Sequence, residues 1–140
     1  VELLRGADRI LHAGDVSTRA ALEELRALGP PVDAVHGNVD EPELRALLPE
    51  RLVVAVEGVR IGLVHDAGAR AGREARLIRS FPACGAVVYG HTHVPQVDLV
   101  DGVWILNPGS PTERRRSPAR SMLLLEIDGG RVEPELVDVT

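Results

Sequence analysis

In the second half of the chain, apolar and β-branched runs come in pairs, and each pair is interrupted only by an acidic residue and glycine. Leu52 to Val56 and Val59 to Val64 flank Glu57-Gly58, Val97 to Val100 and Val103 to Leu106 flank Asp101-Gly102, and Met122 to Ile127 and Val132 to Val139 flank Asp128-Gly129-Gly130. So short a gap sends the second run back alongside the first, and Asp-Gly is among the strongest local signals for a hairpin turn. Three β-hairpins are therefore expected. Between the first two lie a helix over Arg73 to Ser80, stopped by Pro82, and one further strand, Ala86 to Tyr89.

The first half has a different grammar. Arg9 to Ala13 reads as a strand, Ser17 or Thr18 caps a helix carrying Leu22, Leu25 and Leu28, and Gly29-Pro30-Pro31 ends it. Val32 to His36 is a second strand, and a short helix from Glu43 to Leu48 stops at Pro49. Val1 to Leu4 reads as the last turn of a further helix. Strand, helix, strand in this order implies parallel pairing. The expected architecture is α/β, with two packed sheets, the first parallel or mixed and the second largely antiparallel, and helices outside. With 140 residues, 44% of them hydrophobic, and no linker or internal repeat, residues 1–140 read as a single domain.

Composition narrows the partners. The longest apolar runs hold only a handful of residues, far below the roughly 20 that span a bilayer, and no signal peptide is seen. Sixteen cations, all arginine, against 21 carboxylates leave a net charge of −5, which repels a nucleic-acid backbone. Phe81, Tyr89 and Trp104 are too few aromatics to stack a single strand. General nucleic-acid binding and membrane association are thus disfavoured. A lone cysteine, Cys84, forms no internal disulfide and reads as a small buried hydrophobe, and the expected compartment is the cytoplasm.

Four of the strands end in potential metal ligands. Ile10 to Ala13 runs into Gly14-Asp15, Val32 to His36 into Gly37-Asn38-Val39-Asp40, Ile61 to Val64 into His65-Asp66, and Ala86 to Tyr89 into Gly90-His91-Thr92-His93. In open α/β sheets ligands bind at this carboxyl edge, where loops converge over rigid strands. Each group taken singly is an ordinary turn former, helix cap or hydrogen-bonded histidine. Together they form a mixed nitrogen and oxygen set suited to Mn, Fe, Co, Ni or Zn. Five such groups favour two ions roughly 3.5–4 Å apart, the arrangement that clamps a phosphoryl group for in-line displacement. Asp15 is the carboxylate best placed to bridge them, with a hydroxide between the ions as nucleophile.

Gly14-Asp15, Gly37-Asn38-Val39-Asp40, His65 and Gly90-His91-Thr92-His93, in that order and at these separations, resemble the calcineurin-like metallophosphoesterase superfamily. Asn107-Pro108-Gly109-Ser110 before an arginine-rich loop is similar to its small bacterial and archaeal phosphodiesterase branch. The resemblance implies an α/β/β/α sandwich, a metal-dependent phosphodiesterase acting on a small, nucleotide-derived diester, and two divalent ions, manganese foremost, with nickel, iron, cobalt or zinc as alternatives. Carried onto this chain, Asp15 bridges the ions, Asn38, His65 and His91 complete one shell, and His93 belongs to the other metal. Asp15, Asn38, His65 and His91 are then the catalytic set. Asp40 and Asp66 stand behind the ligands, and Asn107, Gly109 and Ser110 are candidate substrate contacts. A homo-oligomer is compatible with the reading.

Two departures accompany it. The family opens with a strand ending in Asp-x-His, and none of the 14 residues before Asp15 matches, so some twenty or more upstream residues are expected in the native protein. Val39 stands where many members carry a histidine, and valine can neither protonate a leaving group nor bind phosphate. Diesters with good leaving groups are the implied preference. These departures also admit a second reading, a protein-docking scaffold, since the retromer subunit of this fold is such a platform. A metal sensor is a third reading, disfavoured by asparagine and bridging-carboxylate ligation. Of the remaining groups, His12 and His36 read as core or supporting histidines. Arg70, Arg73, Arg76 and Arg79 read as an exposed helix face, and Trp104 as core or interface. Arg114, Arg115, Arg116 and Arg120 are either a phosphate-binding or a solvated loop.

Overall fold

The structure, a computed structural model, describes residues 6–14, 19–37, 40–109 and 121–138. The expected helical turn at Val1 to Leu4, the caps Ser17 and Thr18, and the arginine cluster at 114–120 lie outside the described residues. Strand β1 (Ile10–His12) pairs in parallel with β2 (Val32–Ala34), Ile10 opposite Val32, and helix α1 (Arg19–Arg26) forms the crossover. Helix α2 (Pro42–Leu47) follows, its first turn opened by the proline. Leu22 of α1 and Leu44 of α2 are buried to 1% and 0% exposure, and with Ala21, Val32 and Leu48 they seal the outer face of β1–β2. Burying each leucine contributes about 1.5–3 kcal/mol.

A five-stranded sheet forms from β3 (Arg51–Val56), β4 (Val59–Val64), β5 (Ala86–Tyr89), β6 (Gln96–Val100) and β7 (Val103–Asn107), in the order β3-β4-β5-β7-β6. Helix α3 (Arg73–Ser80) connects β4 to β5, and the hairpin β8 (Ser121–Asp128) with β9 (Arg131–Asp138) ends the described chain. All three hairpins turn on two residues, and in each turn both have positive φ: Glu57 and Gly58 (47° and 80°), Asp101 and Gly102 (49° and 79°), Gly129 and Gly130 (56° and 80°). That is the type I′ geometry whose twist matches the strands it joins.

One expectation is corrected. The larger sheet is not mostly antiparallel but evenly mixed, because β4–β5 and β5–β7 are parallel while β3–β4 and β6–β7 are antiparallel. Hairpins dictate only their own internal pairing. Crossing over through α3 brings the chain back to the start of the sheet, so β5 enters parallel to β4 and separates the two hairpins.

Side-chain alternation then builds the layers. Ile61, Leu63, Ala86, Val88 and Leu106 face one way and form a core with Val35, Val132 and the flanking Leu11, Leu123 and Leu125. Val87, Tyr89 and Ile105 face the other way, against Leu77 and Phe81 of the α3 region and the buried Cys84. Trp104 packs half-buried against the first of these cores, as expected. The result is helix, sheet, sheet, helix. No helix among the described residues is long and apolar enough to cross a membrane.

The arginines of α3 do not form the free face that their spacing suggests. Arg76 donates to the carbonyls of Ala67 (2.8 and 3.1 Å), Ala71 (3.3 Å) and Ala69, and Arg73 donates to Gly68 O (3.1 Å) and Tyr89 Oη (3.4 Å). Two guanidinium groups thus clasp the loop that leaves β4, whose carbonyls have no strand partner there. In the same corner the Glu74 carboxyl is held below its usual range, first by a backbone N–H and then by the Gln96 amide.

At Gly62 the sheet and α3 come too close for a side chain. A Cβ there would lie 2.5 Å from Cδ1 of Phe81, whose ring also carries the Arg51 guanidinium 4.3 Å above it. Gly62→Ala is expected to destabilise the fold by about 1–3 kcal/mol, read as a lower urea midpoint. Adding Phe81→Leu should recover part of the loss relative to the sum of the two single changes, the signature of one shared clash.

Candidate metal centre

The site begins where parallel strands stop together. Val64 is paired with Tyr89 at the end of the β4–β5 ladder, so the next residues, His65 and Gly90, leave the sheet side by side, and the Gly90 N–H donates to His65 O at 2.9 Å. From the opposite layer β1 delivers Ala13 and Gly14 to the same place. The Nδ1–H of His65 donates to Ala13 O at 2.7 Å, tying the two sheets together at their carboxyl edge. His65 is 5% exposed.

Two glycines make room for that ring. A Cβ on Gly14, at φ 101°, would lie 2.6 Å from His65 Nδ1, and one on Gly90 would lie 3.0 Å from Ala13 O and 3.4 Å from the same nitrogen. Glycine before the ligand positions is therefore a space requirement as well as a turn signal. With the proton of the neutral ring on Nδ1, His65 Nε2 presents its lone pair outward. His91 Nδ1 faces it at 3.3 Å, the rings nearly perpendicular at 83°.

His91 and His93 both lie in the left-handed region, at φ 70° and 59°. A non-glycine residue is held there only by its surroundings, and such backbone concentrates at functional sites. The holding is done from below. Asn107, fully buried at the end of β7, donates to Thr92 Oγ1 (3.0 Å) and Gly90 O (3.4 Å), and its own oxygen accepts from Gly109 N (2.9 Å). Thr92 in turn accepts from Val94 N at 3.1 Å. Asn107, expected as a candidate substrate contact, is fully buried, and its amide positions the loop that carries the two histidines. Gly109, at φ 73°, packs against Ser121, whose hydroxyl donates to Pro108 O at 2.8 Å. Ser110 lies outside the described residues.

Asp15, Asn38 and Val39 also lie outside the described residues. On either side of Asn38 and Val39, buried Asp40 accepts from the Gly37 N–H at 2.6 Å through Oδ2. Asp66 is exposed and accepts from Gly68 N at 2.8 Å, starting the loop clasped by Arg76. His12 is a supporting histidine, its Nδ1 accepting from Gly14 N at 3.2 Å, and His36 donates its backbone N–H to Pro49 O.

The pair fits a divalent ion. Two imidazole nitrogens bound to one tetrahedral ion at about 2.0–2.1 Å are separated by about 3.3 Å, the distance found between His65 Nε2 and His91 Nδ1. The His65 Nδ1 bond to a carbonyl is the arrangement that orients a ligating histidine and raises its basicity. Among the described residues no third histidine, cysteine, aspartate or glutamate completes a cluster with these two. His65 and His91 are brought together, and His93 is not gathered into their group.

Comparison with known proteins bears on the family and the fold. A family model described as the calcineurin-like phosphoesterase superfamily domain matches residues 1–130. A probable metallophosphoesterase of Methanothermobacter thermautotrophicus is 32% identical over 138 residues, which cover 97% of this chain and 78% of that protein. The structure of wild-type Vps29 complexed with zinc, from Entamoeba histolytica, aligns with TM-score 0.76 and 28% identity over 99% of this chain and 87% of its own. An archaeal phosphodiesterase structure aligns with TM-score 0.77 over 98% and 88%, and its 19% identity speaks for the fold alone.

Removing the buried Asn107 amide leaves the part-buried Gly109 N–H without its acceptor. Asn107→Ala is expected to destabilise the protein by about 1–3 kcal/mol in urea unfolding. A solvent-facing substrate contact at this position would leave stability within about 0.5 kcal/mol.

Proposed function

The chain belongs to the calcineurin-like phosphoesterase superfamily, and from that premise we propose that it is a metal-dependent phosphodiesterase acting on a small diester, with a nucleotide-derived substrate as the leading class. The observation that carries this reading is the facing pair of imidazole nitrogens, His65 Nε2 and His91 Nδ1, 3.3 Å apart at the carboxyl ends of adjacent parallel strands. Divalent ions supply Lewis acidity to the phosphoryl oxygens and to the attacking water. We assign two ions to the site, manganese first, with nickel, iron, cobalt or zinc as the alternatives. The zinc complex of the Vps29 relative supports a divalent ion in this fold.

The chain's own residues divide the work. With ions bound, His65, His91 and Asn38 would hold one, His93 would serve the other, and the Asp15 carboxylate would be available to both. Asp40 keeps the Asn38 loop in place through Gly37, and Asn107 keeps the histidine loop in place through Thr92. The oxygen of water attacks phosphorus, the bond from phosphorus to one ester oxygen breaks, and the departing alcohol and a phosphomonoester are the products. Val39 carries no proton for that alcohol, so diesters whose leaving group departs as a stable anion are preferred. We place the activity in the cytoplasm, on a small molecule rather than a nucleic acid or a membrane, and a homo-oligomer is compatible with it.

The likeness to Vps29 favours one other reading, a protein-docking scaffold on the same fold. Hydrolysis of bis(p-nitrophenyl) phosphate and of p-nitrophenyl phosphate, with manganese and nickel supplied separately, decides between them. The diester is expected to turn over faster than the monoester, and Asp15→Ala and His91→Ala should each lower that rate about 100-fold or more. Zinc or manganese binding by calorimetry without turnover of either ester would favour the scaffold. Turnover independent of added metal and resistant to chelator would overturn the metallohydrolase reading.

A further inference from the structure

Beside His65, on the side of β2 and α2, lies a cleft of about 150 Å3. Its walls come from four places in the chain: His36 after β2, Arg45 on α2, Glu50 ahead of β3, and Val64, His65 and Asp66 at the end of β4. The volume is below the about 300–1,000 Å3 of a complete ligand pocket. It therefore takes one group of a substrate whose reacting centre sits at the histidines. The chemistry of the walls says which group.

A second phosphate is disfavoured, because Glu50 and Asp66 place two carboxylates against the single guanidinium of Arg45. An alkylammonium group meets Arg45 as a like charge, and among the described lining residues no phenyl, phenol or indole face receives it. A nucleobase finds only the His36 and His65 rings as flat faces among the described residues, whereas two carboxylates and a guanidinium stand ready for hydroxyls. The neutral group that satisfies carboxylates and nitrogen donors at once is a set of hydroxyls. Carboxylates accept from O–H, guanidinium and imidazole N–H donate to hydroxyl or ether oxygen, and an acidic side chain is the usual reader of ribose hydroxyls. Asp66 has one oxygen committed to Gly68 N, which leaves Oδ2 for this purpose.

We propose that this cleft binds a polyhydroxylated alcohol, of glycerol or pentose type, forming one arm of the phosphodiester. Glu50 and Asp66 accept from its hydroxyls and Arg45 donates to its oxygens. The proposal rests on the phosphodiesterase reading and deepens it by naming the substrate's alcohol. It makes Glu50 and Arg45 specificity residues, placed on elements that carry none of the expected metal ligands.

Two diesters that share p-nitrophenol as leaving group test it, one with a 2,3-dihydroxypropyl arm and one with a propyl arm. In the manganese-loaded protein, kcat/KM for the dihydroxypropyl diester is expected to exceed that of the propyl diester about tenfold, the worth of one or two well-made hydrogen bonds. Glu50→Gln and Arg45→Met should each bring the ratio toward one. A ratio of one in the unaltered protein, or a ratio that both variants leave unchanged, overturns the cleft. Should neither diester be hydrolysed, the reaction assignment fails, and the cleft is read separately by calorimetry with glycerol 1-phosphate against propyl phosphate. Tighter binding of glycerol 1-phosphate that is lost in Glu50→Gln supports the cleft without the reaction; equal affinity overturns it.

Discussion

The hydrogen bond from His65 Nδ1 to Ala13 O is the constraint around which the rest of the site is arranged. It joins residues 52 apart in the chain and two different sheets. Because a carbonyl can only accept, it also assigns the tautomer, so one contact ties the two layers together and sets the direction in which Nε2 faces His91. Gly14 and Gly90 are small because this ring lies between them. The sheets could pack by apolar burial alone, but apolar burial is non-directional and would leave their relative slide undetermined at the scale a ligand set requires.

A second layer of polar contacts supports the first. Loops leaving a sheet expose carbonyls and N–H groups that the ladder no longer satisfies, and among the described residues several such groups have a dedicated partner: Asn107 beneath the histidine loop, Asp40 on the Gly37 N–H, Arg76 beneath the loop after Asp66. Buried polar atoms are costly when half satisfied, so these partners lock one loop geometry rather than a range of them. Left-handed backbone at His91 and His93 is the visible consequence.

Much of this was legible in the residues. Short gaps of an acidic residue and glycine predicted three hairpins, and all three form; helix α3 spans the residues its pattern marks out, Arg73 to Ser80. His65 and His91 stand at strand ends as expected, because an apolar run that gives way to polar residues, with Gly90 before His91, reports a strand leaving the core. Other features depend on neighbours that spacing does not encode. Arginine at every third position identifies a helix face but not the loop folded against it, so the clasp by Arg73 and Arg76 was invisible. Asn107 follows an apolar run just as the ligands do, and only the packing of β7 between β5 and β6 turns it inward. The parallel entry of β5 between two hairpins is likewise a property of the crossover, not of either hairpin.

All three type I′ turns join neighbours in the chain, whereas the contacts that build the candidate metal centre span 26 and 52 residues. Closing a long loop costs more chain entropy than closing a two-residue turn, and such contacts are not rewarded until the closure is complete. The hairpins are therefore the pairings that chain entropy opposes least, and the imidazole pair is among those it opposes most. An ion that binds only the finished pair stabilises the native state by mass action. It therefore acts on the pairings that local sequence supports least, and the cofactor of the proposed reaction doubles as a thermodynamic clamp on the topology.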